Sequence, residues 1–185
     1  YCNAEEGCEF DLQDDRCIAK HKLGYNVTDY YYLDNKHYVS NHDDSVFSYA
    51  IIENGGTFLP NGVDTTDAKV RSIFSTSSYV LAGTENGCYI TLLEEDGLSR
   101  DPDNKLHIAN GLTIYDILFD EINDLLILSS GNKGGVLVYR WDGQSLLIEE
   151  IVQLYSSSFA WTVEYYEGLV FIGTNKGIEI FNLGE

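Results

Sequence analysis

The chain has 185 residues, 30 of them acidic against 11 basic, for a net charge of −19, and 44% are hydrophobic. That length suits one domain with a real core, and the charge argues against nucleic acid or anionic membrane surfaces as partners, which would repel it. No apolar run approaches the ~18 residues of a membrane-spanning helix, so direct membrane insertion is not expected.

Residues 1–24 form an arm that holds Cys2, Cys8 and Cys17 and ends in a strand-like run, Cys17–Gly24. From residue 25 to 185 one pattern then recurs four times. An apolar inner strand comes first: Val27–Leu33, Val70–Ser75, Ile114–Phe119 and Trp161–Tyr166. A second apolar strand follows, ending at a small or polar anchor, then a polar turn and an alternating third strand. The anchors Asn41, Gly83, Ser130 and Gly173 are spaced by 42, 47 and 43 residues. An outer strand follows the first three copies, around Thr57–Leu59, Lys105–Ala109 and Leu146–Leu154; the fourth copy has none. Runs rich in β-branched and aromatic residues, bounded by Gly and Asn, read as strands and hairpins. A period in the low forties with about four strands per unit is that of a propeller blade.

The expected fold is therefore all-β: a β-propeller of four blades, each of about 42–47 residues. Cys17–Gly24 occupies the slot before Val27 that residues 105–111 occupy before Ile114. It is expected to be the missing outer strand of the last blade, closing the ring and removing an exposed edge. The alternative is that the chain is a fragment of a larger propeller.

Two copies, Val70…Ala82-Gly83-Thr84…Gly87…Ile90 and Val163…Ile172-Gly173-Thr174…Gly177…Ile180, share a hydrophobic-Gly-Thr-x-x-Gly-hydrophobic pattern. This resembles the blades of bacterial sensor-type and surface-type β-propellers. The resemblance implies the scaffold and carries over no catalytic residue. Propellers of the WD type are disfavoured, because Trp141-Asp142 is the only pair of its kind.

The chain begins at Tyr1 and contains no methionine, which fits a processed or excised segment of a secreted precursor. Four cysteines in such a setting make Cys2, Cys8, Cys17 and Cys88 disulfide candidates with three possible connectivities. Cys88 occupies the place of Ile178 in the last copy, so a buried apolar role is its alternative. Asn26-Val27-Thr28 is the one glycosylation sequon, making Asn26 the acceptor. Asp101, Asp103 and Asn104 do not make a complete calcium loop, lacking its Gly and Glu, but form a fragment whose oxygens could meet a hard cation. A polar turn explains them equally well, and no other cofactor is indicated. His21, His37, His42 and His107 lack metal-ligand spacing, and no nucleophile elbow, phosphate loop or dinucleotide fingerprint is present.

Tyrosine is enriched, at 14 of 185 residues. Tyr30, Tyr31, Tyr32, Tyr165 and Tyr166 lie on the inner strands of the first and last copies. They either pack between blades or form a binding face, for which tyrosine is well suited. The expected function is that of a non-catalytic extracellular or cell-surface module for protein interaction or structural assembly. Self-association into an oligomer, polymer or filament is one form of it. The alternatives are a ligand- or ion-binding sensor propeller and a propeller enzyme such as a lyase or lactonase.

Overall fold

A computed structural model describes the backbone of residues 6–11, 16–22, 26–43, 46–53, 57–131 and 135–184, and the side chains of residues 28–40, 49–52, 61–131 and 135–184. Blade one consists of β3 (Asn26–Leu33), β4 (Lys36–Asp43), β5 (Val46–Glu53) and β6 (Thr57–Thr66), antiparallel in that order. Blade two has β7 (Val70–Ser75), β8 (Tyr79–Thr84) and β9 (Gly87–Glu94), with β11 (Lys105–Ile108) on the outside. Blade three is β12 (Asp116–Asp120), β13 (Leu125–Ser129), β14 (Val136–Arg140) and β15 (Glu149–Leu154). Blade four is β16 (Ala160–Tyr166), β17 (Leu169–Thr174) and β18 (Gly177–Asn182). A two-residue strand, β10 (Gly97–Leu98), folds back on the end of β9 and pairs in parallel with Asn61 of β6, tying the outer edges of blades one and two. The all-β propeller architecture is as the repeat predicts.

Local chemistry sets the hairpins. Leu33 pairs with Lys36 across Asp34 and Asn35, which both take positive φ (48° and 62°), the conformation that matches strand twist in a two-residue turn. Glu167 and Gly168 do the same between β16 and β17. At the other end of the strands, the Thr84 hydroxyl donates to Gly87 O and accepts from Asn86 N; Thr174 repeats this with Gly177 O and Lys176 N. The shared Gly-Thr pattern thus locks one hairpin in each of two blades.

Three seams hold the blades together. Tyr38, Tyr49 and Ile51 of blade one meet Val70, Ile73, Val80 and Ala82 of blade two. Leu81, Cys88 and Ile90 of blade two meet Ile114, Ile117, Leu126 and Leu128 of blade three. Ile127, Val136 and Val138 of blade three meet Ala160, Val163, Val170 and Ile172 of blade four. Leu126 and Leu128 point to one neighbour and Ile127 to the other, so strand alternation makes both faces apolar. Each Val, Leu or Ile side chain sealed this way contributes about 1.5–3 kcal/mol. Trp141 is also sealed in the second seam, edge-on to Tyr79 with ring centroids 5.7 Å apart, and its Nε1–H donates to Ser145 O at 2.6 Å.

The expected closure strand is not formed. β2 (Arg16–Lys22) pairs instead with β1 (Glu6–Asp11), matching Cys8 with Lys20 and Phe10 with Cys17, and among the described strands none lies on the outer edge of β18. A partner a few residues upstream costs far less loop entropy than one at the far end of the chain.

Candidate functional site

The inner strands share one irregularity at their leading end. Thr28, Arg71 and Trp161 are extra residues that break the register of β3, β7 and β16, and in blade three Tyr115 and Asp116 both face Ser129. Such bulges re-aim side chains toward an edge or site. The residue after each bulge is Asp29, Ser72, Asp116 or Thr162, paired with Ser40, Gly83, Ser129 or Gly173 respectively. Blades one and three therefore carry Asp opposite Ser, and blades two and four carry a hydroxyl opposite Gly.

The aspartates reach across the seams. Asp29 Oδ2 accepts from Ile73 N at 2.7 Å, and Asp116 Oδ2 accepts from Val163 N at 2.9 Å. The serines support them: Ser129 Oγ donates to Ala160 O at 2.9 Å, while Thr28 Oγ1 bonds Ser40 Oγ and donates to Val70 O. Burial raises the pKa of both carboxyls above the usual Asp value, against the lowering effect of their backbone N–H partners; Asp29 and Glu164 raise Asp116 further.

Two side-chain groups stand at the same end. Tyr115, Phe159 and Trp161 form an aromatic cluster with centroids 4.1–5.2 Å apart, in which Trp161 is 47% exposed. In blade two, Tyr89 stacks on His107 at 4.1 Å and donates to Asp67, which also accepts from Asn86 Nδ2. The Tyr89 bond chiefly holds the Asp67 carboxyl below its usual range, while burial and then Asp67 push the Tyr89 phenol up to about 12. Arg71 pairs with Glu85 beside them. At the opposite end of the inner strands a cleft of about 300 Å³ lies among Tyr31, Leu33, Phe74, Phe119, Glu121 and Gln144. A second cleft, of about 450 Å³, opens between blades three and four beside Tyr165, Arg140 and Asn182.

The tyrosine candidates divide by strand alternation. Tyr30, Tyr32 and Tyr166 are exposed, Tyr30 and Tyr32 flanking His37 with Tyr30 Oη 2.8 Å from its Nδ1. Tyr31 and Tyr165 instead turn into the seams, Tyr31 against Phe74 at 4.7 Å. Asp101 caps a short 3-10 turn (Pro102–Asn104), accepting from Asp103 N, and Asn104 Nδ2 donates to Ser99 Oγ. Among the described residues no three His, Cys, Asp or Glu side chains converge as a metal would require. Cys88 is buried with a free thiol, the apolar role rather than the disulfide one. Cys2 and the side chains of Cys8, Cys17 and Asn26 lie outside the described residues; the Thr28 hydroxyl of the sequon is bonded into the first seam.

Sequence reasoning missed Asp29, Asp116 and the Tyr115–Phe159–Trp161 cluster. The signal was present: Asp29 and Asp116 fall two residues, and Tyr115 and Trp161 one residue, after the apolar residue that opens an inner strand, and Phe159 lies just before one. It is visible only once four inner strands are superimposed by register.

No protein-family model and no curated protein matches the chain. Solved structures do. A protein of unknown function from Desulfotomaculum acetoxidans matches at a TM-score of 0.74 and 12% identity, over 95% of this chain and 57% of that one. A putative 6-phosphogluconolactonase from Bacteroides fragilis matches at 0.70 and 13%, over 96% and 59%. Hsv2 from Kluyveromyces lactis matches at 0.65 and 12%, over 98% and 56%. The chain thus spans a little over half the length of these natural proteins. Likeness at such identity shows the fold alone, and that fold is the β-propeller.

Proposed function

We propose that this chain is a non-catalytic propeller module of the cell surface or extracellular space that works by protein–protein contact. One observation carries the reading: Tyr30, Tyr32, Trp161 and Tyr166, large rings on the inner strands of the first and last blades, are each about half exposed or more. Aromatic side chains of this kind supply binding area at low ordering cost. The acidic surface favours partners that are not polyanions, and calcium is the one ion that the acidic turn at Asp101 would suit. The test is a panel of Tyr30→Ser, Tyr32→Ser, Trp161→Ser and Tyr166→Ser in a binding or self-association assay on the native protein. Loss of association with an unchanged melt supports the reading; full association in the fourfold variant overturns it. Labelling of intact cells with a membrane-impermeant amine reagent tests the location.

A lactonase-like enzyme is the second reading, favoured by the likeness to a putative 6-phosphogluconolactonase and by two carboxyls of raised pKa at the inner strands. Lactone hydrolysis that disappears in Asp116→Asn would establish it over the first.

A further inference from the structure

The cleft of about 450 Å³ between blades three and four differs in charge from the rest of the molecule. Although 30 of the 185 residues are acidic, no Asp or Glu lines it, and its one charged side chain is that of Arg140. The smaller cleft, by contrast, takes in both Asp34 and Glu121. Strand alternation explains how the arginine comes to be there. Val136 and Val138 of β14 are sealed in the third seam, and Arg140 is the next residue on the same face, at the exposed end of the strand. In the ladder it stands between Leu125 and Glu149. Arg71 and Lys105 each hold a carboxylate partner, but the Arg140 side chain forms no ion pair or hydrogen bond among the described residues, Glu149 included.

Two further donors line the same cleft. Asn182 Oδ1 accepts from Gly184 N at 2.9 Å, which fixes the orientation of the amide and leaves its Nδ2 hydrogens without a described acceptor. The Tyr165 hydroxyl, on a ring packed against the third seam, has no described partner either. Around these polar groups the walls are aliphatic: Val138, Val152 and Leu154 from blade three, and Leu183 from blade four. Ile151 adds to them and is 45% exposed. A guanidinium takes a carboxylate through two parallel hydrogen bonds, and the volume is that of a small-molecule site. The net charge of −19 works against multiply charged anions, so one negative charge is what one unopposed cation matches. We infer that this cleft binds a small aliphatic monocarboxylate. Arg140, with Asn182 and Tyr165, holds the carboxylate, and the chain of the ligand lies along the aliphatic wall.

The test is calorimetric titration of the 185-residue protein with octanoate, with amide shifts recorded on the same complex. Octanamide, acetate and inorganic phosphate serve as comparison probes. Octanoate should bind and move amides of residues 123–125, 138–140, 151–154 and 165–184. Octanamide, which lacks the charge, and acetate, which lacks the chain, should each bind about tenfold or more weakly. Arg140→Gln should weaken octanoate about tenfold or more and leave octanamide unchanged. Arg140→Lys keeps the charge without the fork and should fall between. Ile151→Asp sets a like charge on the wall and should weaken octanoate more than octanamide. Arg140 and Ile151 are both exposed, so none of these variants should move the melt. Failure of octanoate to bind overturns the proposal, as does undiminished binding to Arg140→Gln. Equal affinity for octanoate and octanamide overturns it too, the cleft then being an apolar groove only. Displacement of octanoate by an equal concentration of phosphate overturns it in the opposite sense, since the site would then read charge alone.

Discussion

Asp116 of blade three and Val163 of blade four are joined by a carboxylate–amide hydrogen bond of 2.9 Å across a seam, and Asp29 and Ile73 repeat it at 2.7 Å between blades one and two. The bond ties the start of one inner strand to the middle of the next. It places a carboxyl at the leading end of each of these two seams, beside a bulge. The second seam seats Ile114 on Gly83 at the corresponding place. The four blades are thus two pairs, each internally clasped by an aspartate.

Asp116→Ala leaves the N–H groups of Val163 and Ile117 without their acceptor. A loss of about 1–3 kcal/mol is expected, read as a lower urea midpoint with an unchanged slope. Asp29→Ala should behave alike. Asp116→Asn keeps one amide oxygen as acceptor and should cost less than alanine; equal losses would mean that the carboxylate does something other than accept.

The pH dependence follows from the direction of the shift. Burial first, and the nearby Asp29 and Glu164 charges after it, raise the folded pKa of Asp116 above its ordinary 3.8. The folded state then holds the proton more tightly than the unfolded state, so the stabilisation is fully present below the ordinary value and is lost as pH rises through the raised one. The stability of the wild type minus that of Asp116→Asn should therefore grow as pH falls through this window. Taking the difference cancels Asp67 and Asp142, whose pKa values are lowered and which act in the opposite sense. A difference that is flat with pH would show that the Asp116 carboxyl is not perturbed.

Much of the fold was legible because the blades repeat. β7 spans Val70–Ser75, as its β-branched and aromatic residues predict, and the other inner strands agree within two residues. β10 was not legible, since two residues at a turn have no periodicity to detect. Nor was the pairing of β2 with β1, because periodicity marks a strand but not its partner. The tyrosines show the same limit at the site. Tyr30, Tyr31 and Tyr32 are identical in kind, and the bulge at Thr28 fixes which of them face solvent.

Gly83 and Gly173 separate a filled seat from an open one. Gly83→Ala drives a methyl to 2.8 Å from Ile114 Cγ2 and 2.2 Å from Ser72 Oγ. With Ile114 fully buried and unable to move aside, a cost of about 1–3 kcal/mol is expected. The same change at Gly173 meets only the Thr162 side chain, whose Oγ1 lies at 2.4 Å and can rotate. Its cost to the isolated chain should be smaller. Thermal melts of the two variants at low concentration, where association does not contribute, rank them; a costlier Gly173→Ala would place an unrecognised neighbour on blade four.

Cys88 offers a chemical readout of the second seam. Its side chain is fully buried among Leu81, Ile90 and Ile114, and burial alone pushes its thiol pKa far above the ordinary value. Thiolate is the reactive form, so native Cys88 should be almost inert to a disulfide reagent at pH 8. Peptide mapping distinguishes it from Cys2, Cys8 and Cys17. Modification should appear only through opening of the seam, and its rate should follow the unfolding equilibrium when urea is raised. Cys88→Ser puts a hydroxyl in the same apolar place and should cost about 1–3 kcal/mol. Cys88→Ile copies the residue of blade four but adds two heavy atoms beneath blade three, and overpacking of about 1–3 kcal/mol is expected. Rapid labelling of native Cys88, or an isoleucine variant as stable as the wild type, would mean that the second seam is looser than its burial implies.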